Sequence, residues 1–249
     1  MLRLKVMQAK GILLNYEGTI DTNGQHWGAI LWHKFLKHDI ALDKAAFNRA
    51  YAHSEAALAT GNIIQPDDTF LDVLVHKVTQ QFDFLTNAGY QLDYSLVATI
   101  AGECDQLAQR TLRKAKTILE TLSGAFPIVL VSNFYGNLNA VLADFGIRKF
   151  FSDVVETSDP KSHFNTAIYE QGVRRLGYAA EECVAVGDSY NRDILPSKEI
   201  GCQTVWLNVE SWEEWGIDEL GISDAEIGDF NQLPRLLEKW DPAFLASSR

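Results

Sequence analysis

The sequence predicts an α/β protein whose doubly wound, mainly parallel sheet is interrupted by an all-helical insertion. Two observations predict this class. In the second half of the chain, short apolar stretches that end in polar residues alternate with stretches of helical periodicity. Such alternation requires right-handed crossovers between parallel strands. After the first apolar stretch, by contrast, residues 22–112 have helical periodicity without a strand pattern.

Size and charge limit the classes of function. The chain has 249 residues, 47% of them hydrophobic, which is enough for one α/β domain with an insertion. Its net charge of -11 argues against a nucleic-acid surface, because such a surface needs a basic patch. No stretch approaches the ~18–20 apolar residues of a membrane span. Residues 1–10 lack the apolar segment of a secretory signal. We therefore expect neither a nucleic acid nor a membrane as a partner.

The cysteines indicate the redox compartment. Cys104, Cys183 and Cys202 are odd in number, widely separated and without a CxxC pair. This pattern is typical of reduced thiols, and burial in the core is the expected environment of each. The sequence therefore predicts a cytoplasmic protein.

Polar residues follow the predicted strands at the points where those strands end. Residues 10–15 form the first apolar stretch, which the Gly18-Thr19 turn closes. Four later stretches have the same apolar character, namely residues 126–133, 153–157, 183–189 and 203–208. Because ligands bind at the carboxyl ends of parallel strands, Asn15, Ser132 and Asp188 are predicted to face a common site.

Helical periodicity accounts for most of the remaining chain. In the insertion, apolar stripes predict a helix from about residue 25, a second helix over 45–58, a third from about residue 66, and a fourth over 94–113. Five shorter helices are predicted over residues 114–123, 137–145, 164–176, 193–200 and 233–240. The acidic stretch 210–229 is predicted to be a solvated face.

Four polar motifs together resemble the haloacid dehalogenase (HAD)-like hydrolase superfamily, in its helical-cap, phosphatase-like branch. In chain order they are Asn15-Tyr16-Glu17-Gly18-Thr19, Val131-Ser132-Asn133, the region 161–169, and Gly187-Asp188-Ser189-Tyr190-Asn191-Arg192-Asp193. Each motif alone is common in α/β proteins, so the resemblance depends on their order, their spacing and the helical insertion after the first. It implies a Rossmann-like core domain from residues 1–21 and 113–249, and a helical cap domain of residues 22–112.

The resemblance also implies roles for the first two motifs. In the family, the first motif has the form Asp-x-Asp-Gly-Thr. Its first Asp is the nucleophile, which forms an aspartyl phosphate in phosphatases, and its second Asp is the general acid and base. These positions correspond here to Asn15 and Glu17. The second motif, with Ser132 and Asn133, is expected to hold the phosphoryl oxygens.

The third and fourth motifs imply a cation and a metal ion. The third motif normally supplies a lysine that binds the phosphoryl group, and Lys161 is the expected residue, with His163 as the alternative. The fourth motif holds Mg²⁺, for which the implied ligands are Asp188, Asp193, the residue at position 15 and the backbone carbonyl of Glu17.

Asn15 conflicts with this chemistry. A carboxamide is neutral, its oxygen is a poor nucleophile, and its NH₂ group is a donor where a metal needs acceptors. The extra methylene of Glu17 moves the acid/base carboxyl by roughly 1 Å, and such misplacement can cost ~10²-fold in rate. The sequence therefore predicts a protein derived from a Mg²⁺-dependent small-molecule phosphatase, with impaired catalysis and a weakened Mg²⁺ site. A phosphorylated small molecule is the expected ligand, and the sequence identifies no protein partner.

Two functional alternatives remain open. The protein could be an active phosphomonoester hydrolase in which Glu17, or another carboxylate such as Asp21, activates water. It could also be a non-catalytic binding or regulatory protein. An introduced Asp-to-Asn change would explain position 15 alone, whereas the departures at Glu17 and in the third motif favour natural divergence. Other doubly wound folds are disfavoured, because neither G-x-G-x-x-G after the first strand nor G-x-x-x-x-G-K-[ST] occurs.

Overall fold

The computed structural model describes residues 9–60, 62–157, 166–209 and 221–240. Within these ranges, the strands form one six-stranded sheet in the order β3-β2-β1-β4-β5-β6, and every neighbouring pair is parallel. The strands are β1 (Gly11–Leu14), β2 (Ile128–Asn133), β3 (Asp153–Thr157), β4 (Cys183–Gly187), β5 (Gln203–Leu207) and β6 (Ala225–Ile227). The predicted doubly wound parallel sheet is therefore confirmed.

The helices are divided between the insertion and the core. Between β1 and β2 lie α1 (Trp27–Lys37), α2 (Lys44–Thr60), α3 (Phe70–Asn87) and α4 (Ser95–Ala125). The later helices are α5 (Leu138–Asp144), α6 (Thr166–Leu176), α7 (Leu195–Glu199) and α8 (Leu233–Trp240). The insertion is thus helical, as predicted, and a π-helical turn over Tyr190–Ile194 leads from β4 into α7.

The prediction of separate helices over 94–113 and 114–123 is wrong, because α4 is one helix of 31 residues. Its buried side chains keep a three- or four-residue spacing through the predicted break. They include Ile100, Cys104, Ala108, Leu112, Ala115, Leu119 and Leu122. The predicted boundary between cap (22–112) and core (113–249) falls inside this helix, and the domain assignment itself stays a prediction.

The prediction of a solvated face over 210–229 is wrong for residues 225–227, which form β6 beside β5. Ile227 is buried, whereas Glu226 is exposed. A strand of three residues is too short for its alternation to be distinguished from an irregular acidic loop. Residues 210–220 lie outside the described part of the chain.

The central strands are buried on both faces. In β1, Leu13 packs into an apolar cluster with residues of α6, whereas Ile12 and Leu14 face the larger cluster shared with the helical insertion. This two-sided burial leaves the strand ends as the place for a polar site. The chain moves outward from β1 to β3 and then returns to β4 on the other side of β1, so the loops after β1 and β4 diverge around a crevice.

None of the described helices combines the length and the apolar character needed to cross a bilayer. Cys104, Cys183 and Cys202 are free thiols and are buried, as the sequence predicts.

Candidate active site

The sequence-predicted polar residues meet at the carboxyl end of the sheet. Asn15 directly follows β1, and its backbone N–H donates to the Val186 carbonyl at 2.9 Å, which places it beside the end of β4. A cavity of about 90 Å³ opens there. Six predicted site residues line this cavity, namely Asn15, Glu17, Ser132, Asn133, Asp188 and Asp193. The predicted Lys161 and its alternative His163 lie outside the described residues.

The turn after β1 depends on two residues besides the predicted site. Gly18 has φ +85°, and a Cβ atom on it would lie 2.7 Å from Asp188 Cγ, so only glycine fits. Asp21 accepts from the Gly18 N–H through Oδ1 and from Trp27 Nε1 through Oδ2, both at 2.8 Å. Burial raises the pKa of Asp21 well above its usual value. Because both its oxygens are hydrogen-bonded, Asp21 anchors the turn to α1 rather than facing the cavity.

The Asn15 amide nitrogen lies in a cluster of oxygens. Nδ2 is 2.9 Å from the Glu17 carbonyl, 3.3 Å from Thr19 Oγ1, 3.2 Å from Asp188 Oδ1 and 3.3 Å from Asp193 Oδ2. Its two protons are therefore shared among four acceptors. The NH₂ group thus occupies the centre of the oxygen cluster that the family resemblance assigns to a metal ion.

Asp188 is held by the loop that follows β1. Thr19 Oγ1 donates to Asp188 Oδ1 at 2.7 Å and accepts from the Asp188 N–H at 3.1 Å. Trp206 Nε1, on the neighbouring β5, donates to the Asp188 carbonyl at 2.9 Å. The backbone and the carboxylate of Asp188 are therefore both held by hydrogen bonds within the protein.

Asp193 is held from the opposite side. The Tyr169 hydroxyl on α6 donates to Asp193 Oδ1 at 2.7 Å, and the Ser189 N–H donates to Oδ2 at 3.0 Å. A Cβ atom on Gly187 would overlap the Asp193 side chain. The glycine at the end of β4 therefore allows the carboxylate to reach the oxygen cluster. Tyr169 is the last residue of the third-motif region 161–169, and its contact with Asp193 was not predicted from the sequence.

The arrangement of groups around the Asn15 amide does not fit a Mg²⁺ ion. Mg²⁺ requires about six oxygen ligands at ~2.0–2.1 Å in near-octahedral geometry. Asp188, Asp193 and the Glu17 carbonyl could supply oxygens, but Asn15 directs a donor into their midst. Within the described ranges, no group of three or more His, Cys, Asp or Glu residues is arranged to hold a metal ion.

Arg192 is a cavity residue that sequence reasoning missed. It lines the cavity, and its Nε donates to Ser189 Oγ at 3.2 Å. Burial alone would lower the pKa of Arg192, but the Asp188 and Asp193 carboxylates raise it above its ordinary value. The available signal was its position directly before Asp193 in the fourth motif. Arg192 therefore gives this cavity a permanent positive charge.

The second-motif residues lie at the end of β2, on the cavity wall. Ser132 is buried at the end of β2, and its hydroxyl donates to the Asn133 carbonyl only at a long 3.4 Å. A bond of this length is weak, so the hydroxyl can turn toward a ligand at little cost. Ser132 and Asn133 both line the cavity, and their role as phosphoryl ligands stays a prediction.

Glu17 points away from the oxygen cluster and toward the helical insertion. Its Oε1 lies 3.4 Å from Nζ of Lys77 on α3, at ion-pair distance. Burial raises the pKa of the Glu17 carboxyl, and the Lys77 charge opposes that rise. Nothing in the local sequence around Lys77 marked it, because one lysine on an amphipathic helix normally belongs to the solvated face.

Comparison with known proteins identifies relatives of this chain. The family model for haloacid dehalogenase-like hydrolases matches residues 20–201. That match begins after Thr19, so it does not include the first motif. Two curated relatives are glyceraldehyde 3-phosphate phosphatases, from Methanocaldococcus jannaschii (35% identical over 95 residues) and Methanothermobacter thermautotrophicus (34% over 100 residues). The alignments cover 37% and 39% of this chain, and they span only 40% and 44% of those relatives' lengths.

Solved structures share the fold at low sequence identity. A HAD hydrolase from Bacillus subtilis, YfnB, solved bound to magnesium, has a TM-score of 0.56 at 20% identity and covers 92% of this chain and 99% of its own. A dehalogenase solved as an intermediate complex has a TM-score of 0.59 at 15% identity and covers 92% and 97%. At this level of identity, the similarity supports the fold alone.

Proposed function

Since the chain belongs to the haloacid dehalogenase-like hydrolases, we propose that it derives from a phosphatase of this family and has lost efficient covalent catalysis. The supporting observation is the Asn15 side chain, whose amide nitrogen contacts the oxygens of Glu17, Asp188 and Asp193. A phosphoryl group must be attacked by an anionic oxygen at this position, and an amide provides none. Loss of general acid and base assistance costs ~10²–10⁴-fold, and loss of the nucleophile removes the covalent step itself.

The proposed role of the cavity is to bind a phosphorylated small molecule. Ser132 and Asn133 offer polar groups and Arg192 offers a positive charge, all on the wall of one cavity. The phosphatase activity named for the two curated relatives supports this ligand class. We further propose that Mg²⁺ binds weakly, because the Asn15 amide is neutral and directs N–H groups toward the ligand oxygens.

The three free thiols support a cytoplasmic location.

One observation favours an alternative function. Burial raises the pKa of Glu17, which would suit a general base that activates water directly. Its ion pair with Lys77 favours the first proposal, because the pair turns the carboxylate away from the oxygen cluster. Glu17→Gln distinguishes the two, since it should abolish any turnover that depends on Glu17 as a base.

Hydrolysis of 4-nitrophenyl phosphate with Mg²⁺ tests the proposal. We expect no turnover above background from the unaltered protein. Asn15→Asp restores the carboxylate, so it should raise turnover, and Asn15→Asp combined with Glu17→Asp should raise it further. Ser132→Ala in the Asn15→Asp background serves as a control, because any gained activity should fall when the second motif is removed. Turnover of several per second by the unaltered protein would contradict the proposal.

A further inference from the structure

A buried lysine joins the helical insertion to the loop that carries Glu17. Lys77 on α3 is 3% exposed, and its Nζ lies 2.8 Å from Glu55 Oε1 and 3.4 Å from Glu17 Oε1. The rings of Tyr51 and Tyr135 lie 5.8 and 5.3 Å from Nζ, measured to the ring centroids. Two carboxylates and two aromatic faces therefore surround one ammonium group.

This ammonium group is charged in spite of its burial. Burial alone would lower the pKa of Lys77, but the Glu55 and Glu17 carboxylates raise it above its usual value. An ion removed from water is tolerated only where opposite charges and hydrogen bonds replace its hydration. Removing either carboxylate would therefore destabilise the buried positive charge of Lys77.

The contacts connect two parts of the fold. Lys77 and Glu55 lie on α3 and α2 of the insertion, whereas Glu17 follows β1 and Tyr135 follows β2. The Tyr135 hydroxyl donates to Glu55 Oε2 at 2.6 Å, which gives a second connection between the insertion and the core. Because the two connections share the Lys77–Glu55 pair, they form one continuous network rather than two separate contacts.

The network explains why glutamate stands at position 17. An aspartate carboxylate would be shorter by about one C–C bond, ~1.5 Å. The Lys77–Glu17 separation is already 3.4 Å, so the shorter side chain would not reach Lys77 without movement of α3. The longer glutamate side chain thus reaches Lys77 of the insertion. Its carboxylate is then no longer at the place of the family's acid/base group.

The cavity beneath this network is small. It measures about 90 Å³, whereas pockets for small organic ligands usually measure ~300–1,000 Å³. Tyr51 and Glu55 of α2 form part of its wall, so the position of α2 limits the size of the ligand that the cavity can hold.

We propose that Lys77 is a positioning residue that bridges Glu17 and Glu55 and so holds α2 and α3 closed over the cavity. Glu17, Lys77 and Glu55 together form what we call an ionic latch. In this latch Glu17 is the residue on the core side, and it does not act as the family's general acid and base. The latch deepens the proposed function, because it regulates access to the same cavity. Its existence does not depend on whether the protein hydrolyses phosphate, so its test needs no substrate.

Amide hydrogen exchange of α2 and α3, followed by mass spectrometry on the full chain, tests the latch. Lys77→Met removes the charge and keeps most of the length of the side chain, so exchange should accelerate by about tenfold or more. Lys34→Met is the control, because Lys34 on α1 pairs with Glu103 on α4, at 3.0 Å, between two helices of the insertion. Lys77→Arg keeps the charge and should restore most of the protection.

A double-mutant cycle separates a specific latch from general loss of packing. Glu17→Asp should accelerate exchange of α2 and α3 in the unaltered protein and add little in the Lys77→Met background. Equal effects of Glu17→Asp in both backgrounds, or equal effects of Lys77→Met and Lys34→Met, would overturn the proposal. If Lys77→Met does not fold, Glu17→Asp and Glu17→Gln decide, since unchanged exchange in both would also overturn it. The phosphatase assay on the unaltered protein is independent of these outcomes.

Discussion

At the residue scale, the proposed function depends on two side chains of the first motif, Asn15 and Glu17, which differ from the Asp-x-Asp-Gly-Thr form in different ways. Asn15 keeps the position and nearly the shape of an aspartate, but its amide donates where a carboxylate would accept. Glu17 keeps its charge, but its carboxylate pairs with Lys77. Asn15 thus differs from an aspartate in its chemistry and not in its geometry. Glu17 differs in the place of its carboxylate and not in its chemistry. Reverting either residue alone should therefore restore only part of the family's site.

The approach of Gly18 to Asp188 gives a prediction at this scale. Gly18→Ala combines a positive φ of +85° with contact between the new Cβ atom and the Asp188 carboxyl. Gly89 has φ +96°, and a Cβ atom there meets nothing within 4 Å, so Gly89→Ala is the matched control. We expect Gly89→Ala to cost ~1–2 kcal/mol in the free energy of unfolding, from backbone strain alone.

Gly18→Ala should cost clearly more, because the Asp188 carboxyl must also move. Urea denaturation of both variants measures the difference. Equal losses would show that the loop after β1 relaxes freely, and the close approach would then not explain the glycine.

At the scale of elements, the π-helical turn after β4 determines which charged side chains face the cavity. The π-helical turn over Tyr190–Ile194 has Ser189 as its N-cap, since the Ser189 hydroxyl accepts from the Arg192 N–H. This wider turn follows β4 directly and brings both Arg192 and Asp193 to the cavity wall. π-Helical turns are often found at functional sites.

The start of α3 gives a prediction at the element scale. Thr69 caps the helix in a capping box with Asp72, in which Asp72 Oδ2 accepts from the Thr69 N–H at 2.9 Å. Thr69→Ala removes the side-chain acceptor, so we expect a loss of ~0.5–2 kcal/mol in the free energy of unfolding. Thr69→Ser keeps the cap and is the control. The prediction fails if thermal or urea unfolding gives the same stability for both variants.

At the scale of the whole molecule, the sheet separates two apolar clusters and buries the thiols. Cys104 lies in the cluster shared with the insertion, whereas Cys183 and Cys202 lie in the cluster under α6. Desolvation by burial raises the pKa of these thiols, to about 12 for Cys104, about 11 for Cys183 and about 12 for Cys202. At neutral pH the reactive thiolate form is therefore scarce and inaccessible.

Thiol titration tests this packing of the whole molecule. At pH 8 we expect none of the three thiols to react rapidly with an aromatic disulfide reagent in the native protein, and all three to react in guanidinium chloride. Glutathione at the same pH is the control for the reagent. A thiol that reacts at the glutathione rate in the native protein would contradict the burial described for its cluster.

Much of the fold followed from local patterns in the sequence. The five predicted strands and the helical insertion were each marked by an apolar run or stripe that local chemistry specifies. The short β6 and the unbroken α4 were missed. A three-residue strand has no measurable period, and helix continuation is decided by packing along the whole buried face.

The sequence by itself determined that Asn15, Ser132 and Asp188 lie at strand ends, because apolar runs and turns fix where strands stop. Only the tertiary structure decided what these residues contact. The Asn15 amide lies among oxygens supplied by residues 173 and 178 positions away along the chain. Glu17 pairs with Lys77 across 60 residues of chain. Such contacts depend on how the chain packs in three dimensions, and a local pattern in the sequence does not contain that information.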